Sequence, residues 1–159
     1  MLRFVLLLLL SFQLVLLSNP VYSSSVPETI SALELSVHDQ VNQYRGSLGL
    51  ASLELNEDIS KEARIHSQQM AQGNVPFSHD GFDQRIEAIS STLSYSSAAE
   101  NVAYNQGYDD PVTVAVEGWI NSPGHQKNMA GNFNLSGVGV AQNSTGEYYF
   151  TQIFILKPD

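Results

Sequence analysis

The sequence predicts an α+β fold, with helices packed on a small sheet. Two observations carry the prediction. Apolar residues recur at helical spacing through most of the chain, and the last quarter reads as a hairpin, Gly137–Ala141 and Tyr148–Leu156 about an Asn143–Gly146 turn. A third observation sets how such a fold must be held. The 159 residues contain no cysteine, so there is no disulfide framework, no thiolate nucleophile and no Cys-ligated zinc or iron–sulfur site.

The chain opens with Arg3, a run from Phe4 to Leu17 that is apolar except at Ser11 and Gln13, and the breaker Ser18–Asn19–Pro20. The run is shorter than the ~20 residues a helix needs to cross a bilayer. Val21 and Ser23 are small residues at the −3 and −1 positions of a cleavage site, so residues 1–23 are expected to be a signal peptide. An uncleaved anchor is the alternative. Residues 24–28 read as an exposed arm and 29–159 as one domain. Export implies a secreted, extracellular product with no stable membrane insertion once the leader is removed.

The net charge is −9, and −10 without Arg3. Such a surface repels phosphate backbones and anionic lipid, so neither nucleic acid nor an acidic membrane is an expected partner.

Leu33, Val37, Val41, Tyr44 and Leu48 step by four, four, three and four, predicting a helix from about Thr29, which with Ser31 is a candidate cap. Leu53–Leu55 reads as an apolar approach to a second helix, capped by Asn56, with Ile59, Ala63, His66 and Met70 on one face and Gly73–Asn74 as the stop. Phe77–Phe82 is a loop. A short helix follows from about Asp83 to Ile89, and a serine-rich surface loop spans 90–97. Glu100–Tyr104 is a short strand or an extended turn. Asp110–Pro111 opens a helix whose apolar face is Val112, Val116, Trp119 and Ile120, with Ser122–Pro123–Gly124 as its end and a short segment, His125–Met129, after it.

In order along the chain stand Leu53-x-Leu55-Asn56, Ala63-x-x-His66-Ser67, Phe77-Ser78-His79, Glu100-Asn101-Val102-Ala103, Trp119-x-x-Ser122-Pro123-Gly124-His125-x-x-Asn128, Gly137-Val138-Gly139-Val140 and Tyr149-Phe150-Thr151-Gln152. This series, over about Leu33 to Ile155, resembles the CAP superfamily of cysteine-rich secretory, antigen 5 and pathogenesis-related 1 proteins, or SCP domains, in its compact bacterial branch. The resemblance implies a three-layer α-β-α sandwich about a central antiparallel sheet. It also implies a cleft of two histidines and two glutamates. His79, Glu100 and His125 match three of these; the fourth position is Ser122, and Glu117 is not offered in its place.

Two imidazoles and a carboxylate suit a divalent metal such as Zn or Mg, so His79, His125 and Glu100 are candidate ligands, with Asn101 and Ser122 as further cleft residues. The bland alternative is a polar network that pins a loop, with Asn101 and Ser122 satisfying backbone groups. Loss of the second glutamate removes the obvious general base, which favours binding over catalysis. The expected function is a secreted ligand-binding or interaction module. Its ligand, left open, is a lipid, sterol, peptide or protein. A metal-assisted, peptidase-like hydrolase and a purely structural domain are the rivals. No Gly-x-Ser-x-Gly, His-Glu-x-x-His, EF-hand or phosphate loop is present.

His66 reads as a packed core histidine and His38 as a surface one. Trp119 reads as core, and Tyr95 and the Tyr104–Tyr108 stretch either as aromatic walls of the cleft or as ordinary exposed tyrosines. Asn134-Leu-Ser136 and Asn143-Ser-Thr145 are acceptor sequons that matter only in a eukaryotic host.

Overall fold

A computed structural model describes residues 29–158. The signal peptide 1–23 and the arm 24–28 lie outside the described residues. Helix α1 is Ile30–Ser47, capped by the Thr29 side chain, which accepts from the Ala32 amide at 3.2 Å. The two-residue strand β1, Glu54–Leu55, leads into α2, Glu57–Ala71, where the Asn56 side chain accepts from Ile59 N at 3.1 Å. Helix α3 is Phe82–Ser90 and strand β2 is Ser97–Asn105. Helix α4, Pro111–Ile120, is capped by Asp110; α5 is Pro123–Met129; the hairpin is β3, Leu135–Gln142, and β4, Tyr148–Leu156.

The sheet order is β1-β3-β4-β2. Strand β4 pairs antiparallel with β3 and β2, and β1 pairs parallel with β3. The three long strands form the expected antiparallel sheet, and the two-residue β1 adds a short parallel pairing that makes the whole sheet mixed. Along β4 the side chains alternate between two cores. Phe150 and Phe154 pack with Leu33, Val37 and Val41 of α1, Val116 and Trp119 of α4 and Met129 of α5. Ile153 and Ile155 pack with Ile59 and Ala63 of α2 and Ile86 and Ile89 of α3. These two cores make the three layers.

Gly137 and Gly139 face α2. A Cβ on Gly139 would lie 2.1 Å from Arg64 N, and one on Gly137 2.3 Å from Ser60 N. Their hydrogens let the helix backbone lie directly on the strand.

Three local expectations are corrected. Ser122–Pro123–Gly124 does not only end a helix: Pro123 starts α5, taking a first-turn position where its missing N–H costs nothing, and His125 belongs to that helix. The extended segment at Glu100–Tyr104 is a nine-residue strand. His38 is buried, not on the surface. Its Nε2 accepts from Asn42 Nδ2 at 3.0 Å, and among the described residues its Nδ1 has no hydrogen-bond partner.

Candidate histidine cleft at the sheet edge

Strand β2 is a sheet edge, and the cleft is built across it. The Glu100 side chain faces the α2–α3 layer. Arg85, on the inner stripe of α3 beside Ile86, grips its carboxylate, with Nε donating to Oε2 and Nη2 to Oε1, both at 2.8 Å. His79 Nδ1 donates to Glu100 Oε1 at 2.9 Å. The Glu100 side chain is 2% exposed and that of His79 51%, so the carboxylate is an inner support and the imidazole an outward group. With Nδ1 engaged, Nε2 is the ring nitrogen left for a ligand.

The loop carrying His79 is held on both sides. His66, in α2, donates Nε2–H to Ser78 O at 3.0 Å, and Arg85 Nη1 donates to Asp80 O at 3.0 Å. His66 is the expected buried histidine, and it also positions the loop. Burial, with the Arg85 charge next in weight, holds its pKa below the ordinary histidine range, so it is the neutral ring that donates.

Asn101 leaves the strand on the other face. It is fully buried, donates Nδ2–H to His125 O at 3.2 Å and accepts from Asn128 Nδ2 at 2.9 Å. Asn128 Nδ2 also reaches Glu100 O at 3.1 Å. Asn101 thus supports the cleft from behind. Arg45 secures the far end of α5: its guanidinium donates to Met129 O and Gly131 O at 2.9 Å, and to Ala51 O and Phe133 O. It is buried, and among the described residues no carboxylate pairs with it.

These supports bring the two imidazoles together, with ring centroids 6.4 Å apart. Burial, then the nearby His79, lowers the His125 pKa. Among the described residues no group of three or more His, Cys, Asp or Glu is arranged to hold a metal ion. Both Glu100 oxygens are already engaged, which accounts for its not completing a ligand set with the histidines.

A groove of about 270 Å³ runs beside His125, lined among others by Phe77, Tyr104, Trp119, Ser122 and His125 itself. Phe77 meets Tyr104 edge-on at 4.9 Å, and Tyr104 stacks on Tyr149 at 6.0 Å. Trp119 is core, as expected; its Nε1 donates to Val102 O at 3.0 Å. Tyr95 lines a separate hollow with Phe82 and Ile86. A hollow of about 810 Å³ between α1 and α4 includes Glu117 and shares no residue with the histidine groove. Ser122, and not Glu117, lines the histidine groove.

Sequence reasoning missed Arg85. The signal was there: Phe82, Arg85, Ile86 and Ile89 share one helix face, and a charge on an apolar stripe needs a buried counter-charge.

The chain belongs to the cysteine-rich secretory protein family, CAP, whose pattern it matches over residues 38–154. It is 36% identical over 138 residues to the uncharacterized protein YkwD of Bacillus subtilis, covering 85% of this chain and 51% of YkwD. An extracellular SCP-domain protein from Bacillus anthracis has the same fold, with a TM-score of 0.67 and 27% identity over 88% of this chain and 45% of that one. NaASP2, solved with Zn2+, shares the fold at a TM-score of 0.58 and 14% identity, covering 80% of this chain and 83% of that one. The chain thus spans about half the length of YkwD. Among the described residues no helix is long and apolar enough to cross a membrane.

Proposed function

We propose that the protein is an extracellular binding module whose cleft takes a divalent cation, zinc above magnesium, through His79 Nε2 and His125. The observation that carries this is the contact between His79 Nδ1 and Glu100 Oε1 at 2.9 Å, with Glu100 itself clamped by Arg85. A carboxylate behind an imidazole fixes the tautomer and aims the outer nitrogen, the usual support of a metal-binding histidine.

The residues fit such an ion. Two imidazoles sharing a tetrahedral zinc at ~2.0–2.1 Å place their ring centroids about 5 Å apart. The observed separation is 6.4 Å, so binding draws the two rings together by about 1.4 Å. Imidazole donors suit zinc, whereas magnesium prefers oxygen ligands. The extracellular setting of the Bacillus anthracis relative and the zinc in NaASP2 support the reading.

Binding is favoured over hydrolysis because Glu100, the one acid of the cleft motif, is buried and turned onto Arg85 and His79, away from the solvent a general base would have to deprotonate.

Zinc titration by calorimetry and thermal melting tests the proposal. Saturation at a hundredfold excess over Kd is expected to add about 2.7 kcal/mol. His79→Ala with His125→Ala is expected to abolish the gain, and Glu100→Gln to weaken it about 10–100-fold without abolishing it. An equal gain in the double variant would sink the assignment.

A further inference from the structure

We infer that the zinc ion is shared between two copies of this chain, each copy supplying His79 and His125. This rests on the zinc reading above and adds to it the partner that completes the site. Three observations carry it.

The first is a shortfall of ligands. Structural zinc sites are four-coordinate, and open catalytic sites keep three protein ligands. The cleft offers two imidazoles, with ring centroids 6.4 Å apart. Among the described residues no third His, Cys, Asp or Glu is grouped with them. Asp80, next to His79 in the chain, does not complete such a group. Glu100 is spent on Arg85 and on the inner nitrogen of His79. Ser122 stands where the family pattern has its second acid, and its hydroxyl is outside the thiolate, imidazole and carboxylate set that holds zinc.

The second is access. The His79 side chain is 51% exposed, and Gly124 and Gln126, which flank His125, are both exposed. An ion held by this pair has its open positions turned toward whatever approaches from solvent. A second copy brings the same two imidazoles, the donors that suit zinc. Two-fold pairing sets one patch of both copies face to face, so pair meets pair and the count reaches four.

The third is the surface around the pair. Phe77 is 44% exposed and Tyr104 55%, and both line the groove beside His125. Aromatic side chains are enriched in the buried centre of protein interfaces, and a second copy on the histidines covers these two. Charge makes the pairing conditional. Each chain carries −9, so two copies repel until a divalent cation lies between them.

Sedimentation equilibrium and calorimetry with zinc chloride test the inference on the purified protein. In EDTA the protein is expected to be a monomer. Added zinc is expected to double its mass, with a maximum at one ion per two chains, and a large excess to return it to monomers that each hold their own ion. His79→Ala and His125→Ala are each expected to stay monomeric at every zinc concentration, and His79 is exposed enough for its loss to leave the fold intact. A one-to-one isotherm in a chain that stays monomeric overturns the shared site and leaves the zinc reading standing. A dimer that forms in EDTA, or one that zinc still drives in His79→Ala, also overturns the shared site. The absence of any zinc binding overturns both readings.

Discussion

Glu100 and Asn101 are consecutive residues of β2, and their side chains secure opposite layers of the fold. Glu100 holds His79 and Arg85 on the α3 side, and Asn101 holds the backbone of His125 on the α5 side. Alternation along one strand thus sets the spacing of two histidines that lie 46 positions apart in the chain. Asn101→Ala removes both α5 bonds and leaves buried polar groups unpaired, at a cost of about 2–4 kcal/mol. Urea unfolding measures it. A change below about 0.5 kcal/mol, the scatter of surface substitutions, would show that α5 is held by other contacts.

Removing one member of the Arg85–Glu100 pair strands the other. Arg85→Met and Glu100→Gln are each expected to cost about 3–5 kcal/mol, because a buried charge loses its partner. The double variant is expected to cost less than the sum. A thermodynamic cycle that returns strict additivity would rule out the coupling.

Acid should loosen the fold before its carboxylates protonate. His38 and His66 both have pKa values lowered chiefly by burial. The unfolded chain takes up their protons near the ordinary value of about 6.5, where the folded protein still excludes them. Stability is therefore full above about pH 6.5 and declines as pH falls toward each lowered folded value. Urea midpoints between pH 8 and 5.5 are expected to drop, and the drop to shrink in His38→Ala. A flat profile would contradict the burial argument.

Two glycines should respond with opposite sign. Gly139→Ala drives a methyl into the α2 backbone at Arg64 and is expected to cost about 3 kcal/mol or more. Gly118→Ala, mid-helix and unobstructed, is expected to add about 0.5–1 kcal/mol. Melting temperatures separate the two, and equal shifts would mean that β3 and α2 are not in direct contact.

The amphipathic helices were legible because Leu33, Val37 and Val41 repeat at helical spacing and all three are fully packed. Strand β2 was not fully legible. Ser97, Ala98, Ala99, Glu100 and Asn101 lack the β-branched alternation of an ordinary strand, since this edge uses its polar residues to hold the site. His38 was misjudged because the buried face of α1 is wider than its apolar stripe, taking in Glu34, His38 and Arg45 as well. His79, Glu100 and His125 were readable from the family resemblance. Arg85 was hidden because its counter-charge lies 15 positions away, on another element.

The manner in which Arg45 is neutralised bears on the media this molecule can tolerate. Its positive charge rests on four peptide carbonyl dipoles, shielded from solvent. Dissolved ions weaken exposed charge pairs within a Debye length of about 8 Å at physiological strength, but a caged guanidinium offers them little to screen. The end of the helix that bears His125 should hold its place equally well in dilute and briny surroundings.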